Sequence, residues 1–276
     1  EKFCYFPFAN GLFNLTDGKF RPADPTEYLY FTTGYEYDHA NVSQRREARA
    51  QVLNYLTGLC GGKMPSGDLI LTKDAKVRFV TYLLLDFSSA LRPMNFFQKI
   101  TFLLGPGGNG KGKLVSLLEK VFGEDSGTDQ GLFRSVPSKL IEEGGCSKDA
   151  NKPNPILAGC QQCRIACVAE PTADAKIDIS GCKNYTGNDT LKARGLYEKK
   201  PQPFKPMFDL YVECNAIPEA DPNDDGWGRR FREIKLGNSF KKPHADTHYV
   251  TPEQVFEDLG MTKQELDNKV TSPEWR

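Results

Sequence analysis

Ile100-Thr-Phe-Leu-Leu-Gly-Pro-Gly-Gly-Asn-Gly-Lys-Gly-Lys-Leu114 decides how the rest of the chain is read. The short apolar run from Lys99 to Leu104 leads into a glycine-rich loop, and Leu114, Leu117, Leu118 and Val121 then recur at helical spacing. Strand, loop and helix in that order are the context a phosphate-binding loop requires. The loop pattern is G-x-x-x-x-G-K followed by Ser or Thr; Gly105, Gly110 and Lys111 fit it, and Gly112 stands where the hydroxyl belongs. Consecutive backbone N–H groups and the positive end of the helix suit an anion, and Lys111 is placed to reach β and γ phosphates. The expected ATP-binding residues are Gly105, Pro106, Gly107, Gly108, Asn109, Gly110, Lys111, Gly112 and Lys113. Without a hydroxyl at Gly112, Mg²⁺ must be held by phosphate oxygens, water and an acid elsewhere.

Working downstream, Arg164-Ile-Ala-Cys-Val-Ala-Glu170 reads as a buried strand with a carboxylate at its end, so Glu170 is the expected metal-site acid. Phe208 to Asn215 reads as a third strand, and Asn215 at its end is suited to orient an attacking water. Arg229 and Arg230 follow an Asp-Asp-Gly-Trp-Gly segment and are candidates to stabilise charge on a transferred phosphate from a neighbouring subunit. The stretch Leu191 to Pro206 reverses at Lys199-Lys-Pro-Gln-Pro203 and reads as a hairpin.

Upstream, residues 1–42 form an aromatic-rich strand-and-loop entry segment, with an extended run at Tyr28 to Thr32 and a turn at Thr16-Asp17-Gly18. A helix capped at Ser43 carries Ala50, Leu53, Leu56 and Leu59 on one face and stops at Gly61-Gly62; a second spans Lys73 to Ala90. The domain boundaries expected are 1–42 for the entry segment, 43–98 for a small helical collar, 99–242 for the ATPase and 243–276 for a C-terminal extension with a helix at Pro252 to Leu259.

Composition limits the function classes. The 36 Lys and Arg balance 36 Asp and Glu, so a nucleic-acid partner must be met by a local patch. The longest apolar run, near Phe79 to Phe87, is far short of the roughly 18–20 residues of a membrane span. The chain starts without Met or a signal pattern, as expected of a piece of a longer polypeptide, and eight Cys are too sparse for a disulfide scaffold, as in an intracellular protein. Cys160-x-x-Cys163 near Cys146, Cys167 and Cys182 raises a zinc site, but no second pair follows at ribbon spacing, and free thiols are expected. His244 and His248 lack the Glu of a zinc-protease helix.

Taken in order, these segments resemble the superfamily 3 helicases of the AAA+ class, above all the primase-helicases of poxviruses, other large DNA viruses, phages and plasmids. Phe8 to Leu15 looks like the entry motif, Gln98 to Leu114 the Walker A segment, Arg164 to Pro171 Walker B, Lys183 to Asp189 with Lys192, Arg194 and Tyr197 motif B′, and Asn215 to Arg230 motif C with the arginine finger. The resemblance implies an α/β AAA+ P-loop ATPase, its central β-sheet flanked by helices and preceded by the helical collar. It further implies ATP and Mg²⁺ as cofactors and a ring, usually a hexamer. The hairpin would reach into the channel to grip single-stranded DNA during replication, beside a primase domain and other replication partners, in the host cytoplasm or at a viral replication site. On that pattern Lys111, Glu170, Asn215 and Arg229 or Arg230 are the catalytic set, the spacing from Asn215 favouring Arg230. Lys192, Arg194, Lys199 and Lys200 would contact DNA, since lysines and an aromatic such as Tyr197 or Phe204 on a protrusion suit a phosphate backbone without base readout. Two departures stand out: Gly112, and a single Walker B carboxylate where many relatives have two. A nucleotide kinase and an ATP-binding ring subunit without motor activity are the alternative readings; a kinase would need an arginine-rich lid over its acceptor.

Overall fold

A short aromatic meander opens the fold: β1 (Tyr5–Phe8), β2 (Gly11–Asn14) and β3 (Phe20–Pro22) pair antiparallel in sequence order. The β2–β3 connection turns at Gly18, whose φ of 69° only glycine adopts freely, as the Thr16-Asp17-Gly18 signal predicts. Tyr37 covers the sheet, with ring centroids 5.0 Å from both Phe8 and Phe20. The computed structural model describes residues 5–27, 30–38, 42–60, 72–105, 107–124, 130–147, 149, 151–172, 174–221, 223–237, 262, 264, 265 and 268. The expected helix at Pro252 to Leu259, Pro106 and both tail histidines lie outside the described residues.

Next come α1 (Val42–Leu59) and α2 (Lys73–Ser89), then β4 (Ile100–Leu104), α3 (Lys111–Phe122), β5 (Phe133–Val136), α4 (Pro155–Ala158) and β6 (Ile165–Val168). The remaining elements are α5 (Ile179–Thr186), β7 (Leu191–Ala193), β8 (Gln202–Phe204), β9 (Asp209–Cys214), α6 (Asp225–Gly228) and β10 (Phe231–Lys235). Three sequence expectations are corrected. Helix α1 begins before Ser43, which therefore sits inside the first turn rather than capping it. Its buried face is Tyr55, Leu56, Leu59 and Cys60, leaving Ala50 exposed, because a helix turning 100° per residue carries Ala50 away from that stripe. Residues 30–32 are not strand: Thr32 N–H bonds the Gln130 carbonyl and Thr33 N–H the Pro7 carbonyl, a crossing loop rather than a ladder.

The main sheet has the order β10-β4-β9-β6-β5 and its strands run parallel. Ile165 to Val168 on β6 face Asp209 to Val212 on β9 in register. Helices flank this sheet, so the molecule is a mixed α/β P-loop fold. Two compact units divide the chain: Glu1–Tyr37, Ser88–Phe102 and Phe122–Glu233 make the first, Asp38–Phe87, Leu103–Val121 and Ile234–Arg276 the second. In the second unit α3 buries Leu114, Leu117 and Leu118, each such side chain contributing about 1.5–3 kcal/mol when fully removed from water. In the first, Phe102, Trp227 and Phe231 pack ring on ring at centroid distances of 5.2–6.0 Å, fixing α6 and the start of β10. Among the described residues no helix is long and apolar enough to cross a membrane.

Candidate functional site

Each glycine of the phosphate loop does something different. Gly108 and Gly110 take φ of 88° and 90°, left-handed values that let the chain double back beneath the helix. Gly105 is held by close approach: a Cβ there would lie 1.8 Å from Asn109 Nδ2 and 2.9 Å from the Leu236 carbonyl oxygen. Gly112 is under no such pressure, since nothing lies within 4 Å of a Cβ built on it. Asn109 pins the loop. It is 1% exposed, its Oδ1 accepts the Lys111 N–H at 3.2 Å, and its Nδ2 donates to the Leu236 carbonyl at 3.4 Å. Leu236 in turn donates its N–H to the Leu104 carbonyl at 2.9 Å, so the loop is tied to both the strand before it and the residue after β10. Lys111 opens α3, is nearly buried, and donates through Nζ to the Gly105 carbonyl. The ammonium is thus folded back over a loop whose first-turn N–H groups and helix dipole favour an anion. Gly107 is exposed and Lys113 half-buried.

In the other unit, Glu170 and Asn215 follow neighbouring parallel strands, two residues past β6 and directly after β9. Both are exposed and stand at the same edge of the sheet. The two arginines stand at the opposite edge: the Arg230 carbonyl accepts the N–H of Ile100 at the start of β4, and β10 begins at the next residue. Their environments differ. Arg230 is 7% exposed, its Nε donates to Thr186 Oγ1 at 3.1 Å and its Nη1 to the Gly226 carbonyl at 3.1 Å. Burial, then the Arg229 charge, lowers its pKa from the ordinary guanidinium value. Arg229 is exposed at the C-terminal end of α6, and its carbonyl takes the ammonium of Lys99. Asp224 caps α6 through the Trp227 N–H at 2.7 Å and pairs with Lys183 at 2.7 Å.

The predicted hairpin is present as β7 and β8, with Leu191 opposite Phe204 and Ala193 opposite Gln202. Glu198 closes its loop by accepting the Gly195 N–H at 2.8 Å, and Arg194 Nη1 donates to the Glu198 carbonyl at 3.2 Å. The Arg194 carbonyl accepts the Asn154 N–H at 2.9 Å, anchoring one side of the loop. Lys192, Lys199 and Lys200 are exposed, and Tyr197 is 93% exposed beside the lysines while Phe204 is half-buried.

Cys160 and Cys163 are buried free thiols, and burial holds the Cys163 pKa well above the ordinary thiol value, which keeps it protonated and a poor nucleophile or ligand. Cys167 lies inside β6. Among the described residues no group of three or more His, Cys, Asp or Glu is placed to hold a metal ion. Sequence reasoning missed an acid-lined cavity of about 730 Å³ bounded by Glu143, Asp178, Glu219, Asp221 and the Lys183–Asp224 pair, which contains none of the predicted site residues. Its walls come from three separate loops and α5, so no local pattern announces it.

The class the fold and loop define is a P-loop α/β domain. No family model matches the chain. It is 28% identical over 269 residues to the candidate helicase L207/L206 of Acanthamoeba polyphaga mimivirus, covering 98% of this chain and 25% of that protein. It is 33% identical over 160 residues to the candidate helicase 022R of Frog virus 3, covering 55% of this chain and 16% of that protein. The chain therefore spans about a quarter or less of the length of these relatives. Both viral relatives carry the name of helicase, the broad class to which the ordered motifs point. Among solved structures, the NrS-1 C-terminal region is 18% identical with a TM-score of 0.45, over 94% of this chain and 51% of that one. JCV helicase is 15% identical with a TM-score of 0.39, over 88% and 55%; both likenesses are too loose to carry an argument.

Proposed function

We propose that this chain is the ATPase part of a superfamily 3 DNA helicase that translocates on single-stranded DNA in viral replication, assembled as a ring and joined in the full protein to a primase. One observation carries the reading: the glycine loop is built around Lys111, with two left-handed glycines, a third held by close approach and a buried Asn pinning it. The viral relatives support the same class.

In this proposal the loop amides and Lys111 hold the phosphates of ATP. Mg²⁺, when bound, would neutralise charge on the phosphates, and Glu170 would be its protein ligand, together with water, because Gly112 offers no oxygen. Asn215 orients the attacking water. Arg229 is the arginine that acts across a subunit boundary: it is exposed, and it lies at the sheet edge away from Asn215 and Glu170, so it cannot serve its own chain's Asn215. Arg230, nearly buried and bonded to Thr186 and Gly226, is a positioning residue beside it. Lys192, Arg194, Lys199 and Lys200 with Tyr197 form the contact for the DNA backbone and a base.

The test is steady-state ATP hydrolysis with and without single-stranded DNA, for wild type and Lys111→Ala, with the assembly mass measured in parallel. Stimulation by DNA and its loss in the variant are expected. Equal rates with and without DNA sink the motor reading, and ATP binding without turnover in an intact ring marks an assembly subunit instead.

A further inference from the structure

Two turns of the first unit are joined by a reciprocal pair of side-chain bonds. Gln98, just before β4, donates through Nε2 to the Gly187 carbonyl at 3.4 Å, and Asn188 donates through Nδ2 to the Asn95 carbonyl at 2.9 Å. Among the described residues these two donors are the non-glycine residues with left-handed φ, 53° at Gln98 and 62° at Asn188. Such a conformation disfavours a side chain, and more so for Gln than for Asn. If the turns alone were needed, glycine would serve better at both positions; what Gln and Asn add is the amide that reaches the other turn.

The surroundings are arranged to keep the pair in place. Asn95 is 2% exposed and its side chain bonds both the N–H and the carbonyl of Lys99, closing the first turn on itself. Asn188 Oδ1 is buried without a partner among the described residues, so the amide bears a desolvation cost on one side to place its donor on the other. On one flank the clasp continues into the arginine segment: Lys99 Nζ donates to the Arg229 carbonyl, Ile100 N–H to that of Arg230, and Arg230 Nε to Thr186. On the other flank Asn188 stands three residues before Leu191, where the hairpin begins.

We propose that Gln98 and Asn188 are positioning residues that hold the root of the β7–β8 hairpin to the arginine segment, so that the state of the nucleotide contacted by Arg229 and the grip of the hairpin on DNA are linked through this clasp. The linkage rests on the function proposed above, whereas the positioning of the hairpin is a property of the fold.

The experiment uses Gln98→Gly, Asn188→Gly and the double variant, which relieve the backbone while deleting the donors, and Asn188→Asp, which tolerates the same φ but cannot donate. Hydrogen exchange is followed at 191–193 and 202–204 against β6 and β9. Two lost bonds correspond to about tenfold in a local opening equilibrium, so the double variant is expected to exchange about tenfold faster in the hairpin with the central strands unchanged. Stimulation of ATP hydrolysis by single-stranded DNA, read as the ratio of the rates with and without DNA, is expected to fall by a similar factor of about ten. Asn188→Asp must follow Asn188→Gly. Unchanged hairpin exchange, an equal rise in β6 and β9, or an Asp variant that behaves as wild type overturns the positioning role. A loosened hairpin with full DNA stimulation overturns the linkage. If the wild type shows no stimulation at all, the motor reading is what fails, and the exchange data still decide whether the clasp positions the hairpin.

Discussion

The phosphate loop and the clasp use the same unusual backbone conformation for opposite ends. In the loop, left-handed φ falls on Gly108 and Gly110, so the turn carries no side chain at either position. In the clasp it falls on Gln98 and Asn188, and the space is filled by amides bonded to the neighbouring turn. The same φ thus comes without a side chain at Gly108 and Gly110 and with a bonded amide at Gln98 and Asn188.

The largest expected effect is that of Gly105→Ala, at the loop glycine held by close approach rather than by its φ. The added methyl overlaps Asn109 Nδ2, the group that pins the loop, so the loop must reopen at about 3 kcal/mol or more, and nucleotide affinity should fall about a hundredfold by titration with a fluorescent ATP analogue. A Gly105→Ala protein that binds as well as wild type breaks the claim that bareness is built in. Next in size, the two arginines should separate: Arg230→Ala leaves Thr186 and the Gly226 carbonyl unserved and should cost about 1–3 kcal/mol in chemical denaturation, while Arg229→Ala, exposed, should leave stability within about 0.5 kcal/mol and lower turnover instead. Equal losses of stability would erase the distinction between filled and open regions.

Smaller still is a pH effect at Asp224. The Lys183 hydrogen bond first, then the Trp227 N–H, hold its carboxyl below the ordinary value, so its contribution is complete above the unfolded pKa of about 3.9 and is lost as pH falls through the lower folded one. Emission from Trp227, recorded with Trp275→Phe, should be flat from pH 7 to 5 and change only below about pH 4; Asp224→Asn, which keeps a cap but not the charge, should flatten that change. Smallest of all, Gly112→Ser should shift the melting temperature by less than about 2 °C, because its Cβ meets nothing, and should tighten or leave unchanged the Mg²⁺ dependence of turnover. Abolished turnover with ATP still bound would mean that the missing hydroxyl has another explanation.

What the sequence made legible follows the sheet from its centre outward. The strands β4, β9 and β6 are all readable, β4 and β6 as short apolar runs and β9 by its alternation. Both edge strands, β10 and β5, escaped notice. Phe231-Arg-Glu-Ile-Lys235 and Phe133-Arg-Ser-Val136 carry charge that hides the strand pattern; on β5 that charge is the buried Arg134, bonded to the Gly159 and Phe133 carbonyls. The loop, its lysine and the hairpin were legible because their signals are local. The clasp was not: Thr-Gly-Asn-Asp reads as turn chemistry, and the partner of Asn188 lies 93 residues away. Spacing favours Arg230, but the two arginines differ in burial rather than in type, and it is Arg229 that is exposed.

Leu236 has a practical consequence for dissecting the molecule. Because its N–H continues the pairing to Leu104 while its carbonyl receives the Asn109 amide, the last strand and the nucleotide loop share a single residue as their fastener. A truncation ending at Lys235 keeps every residue of β10 yet removes the partner that Asn109 reaches 127 positions away, so the smallest fragment worth assaying is set by a hydrogen bond and not by the end of β10.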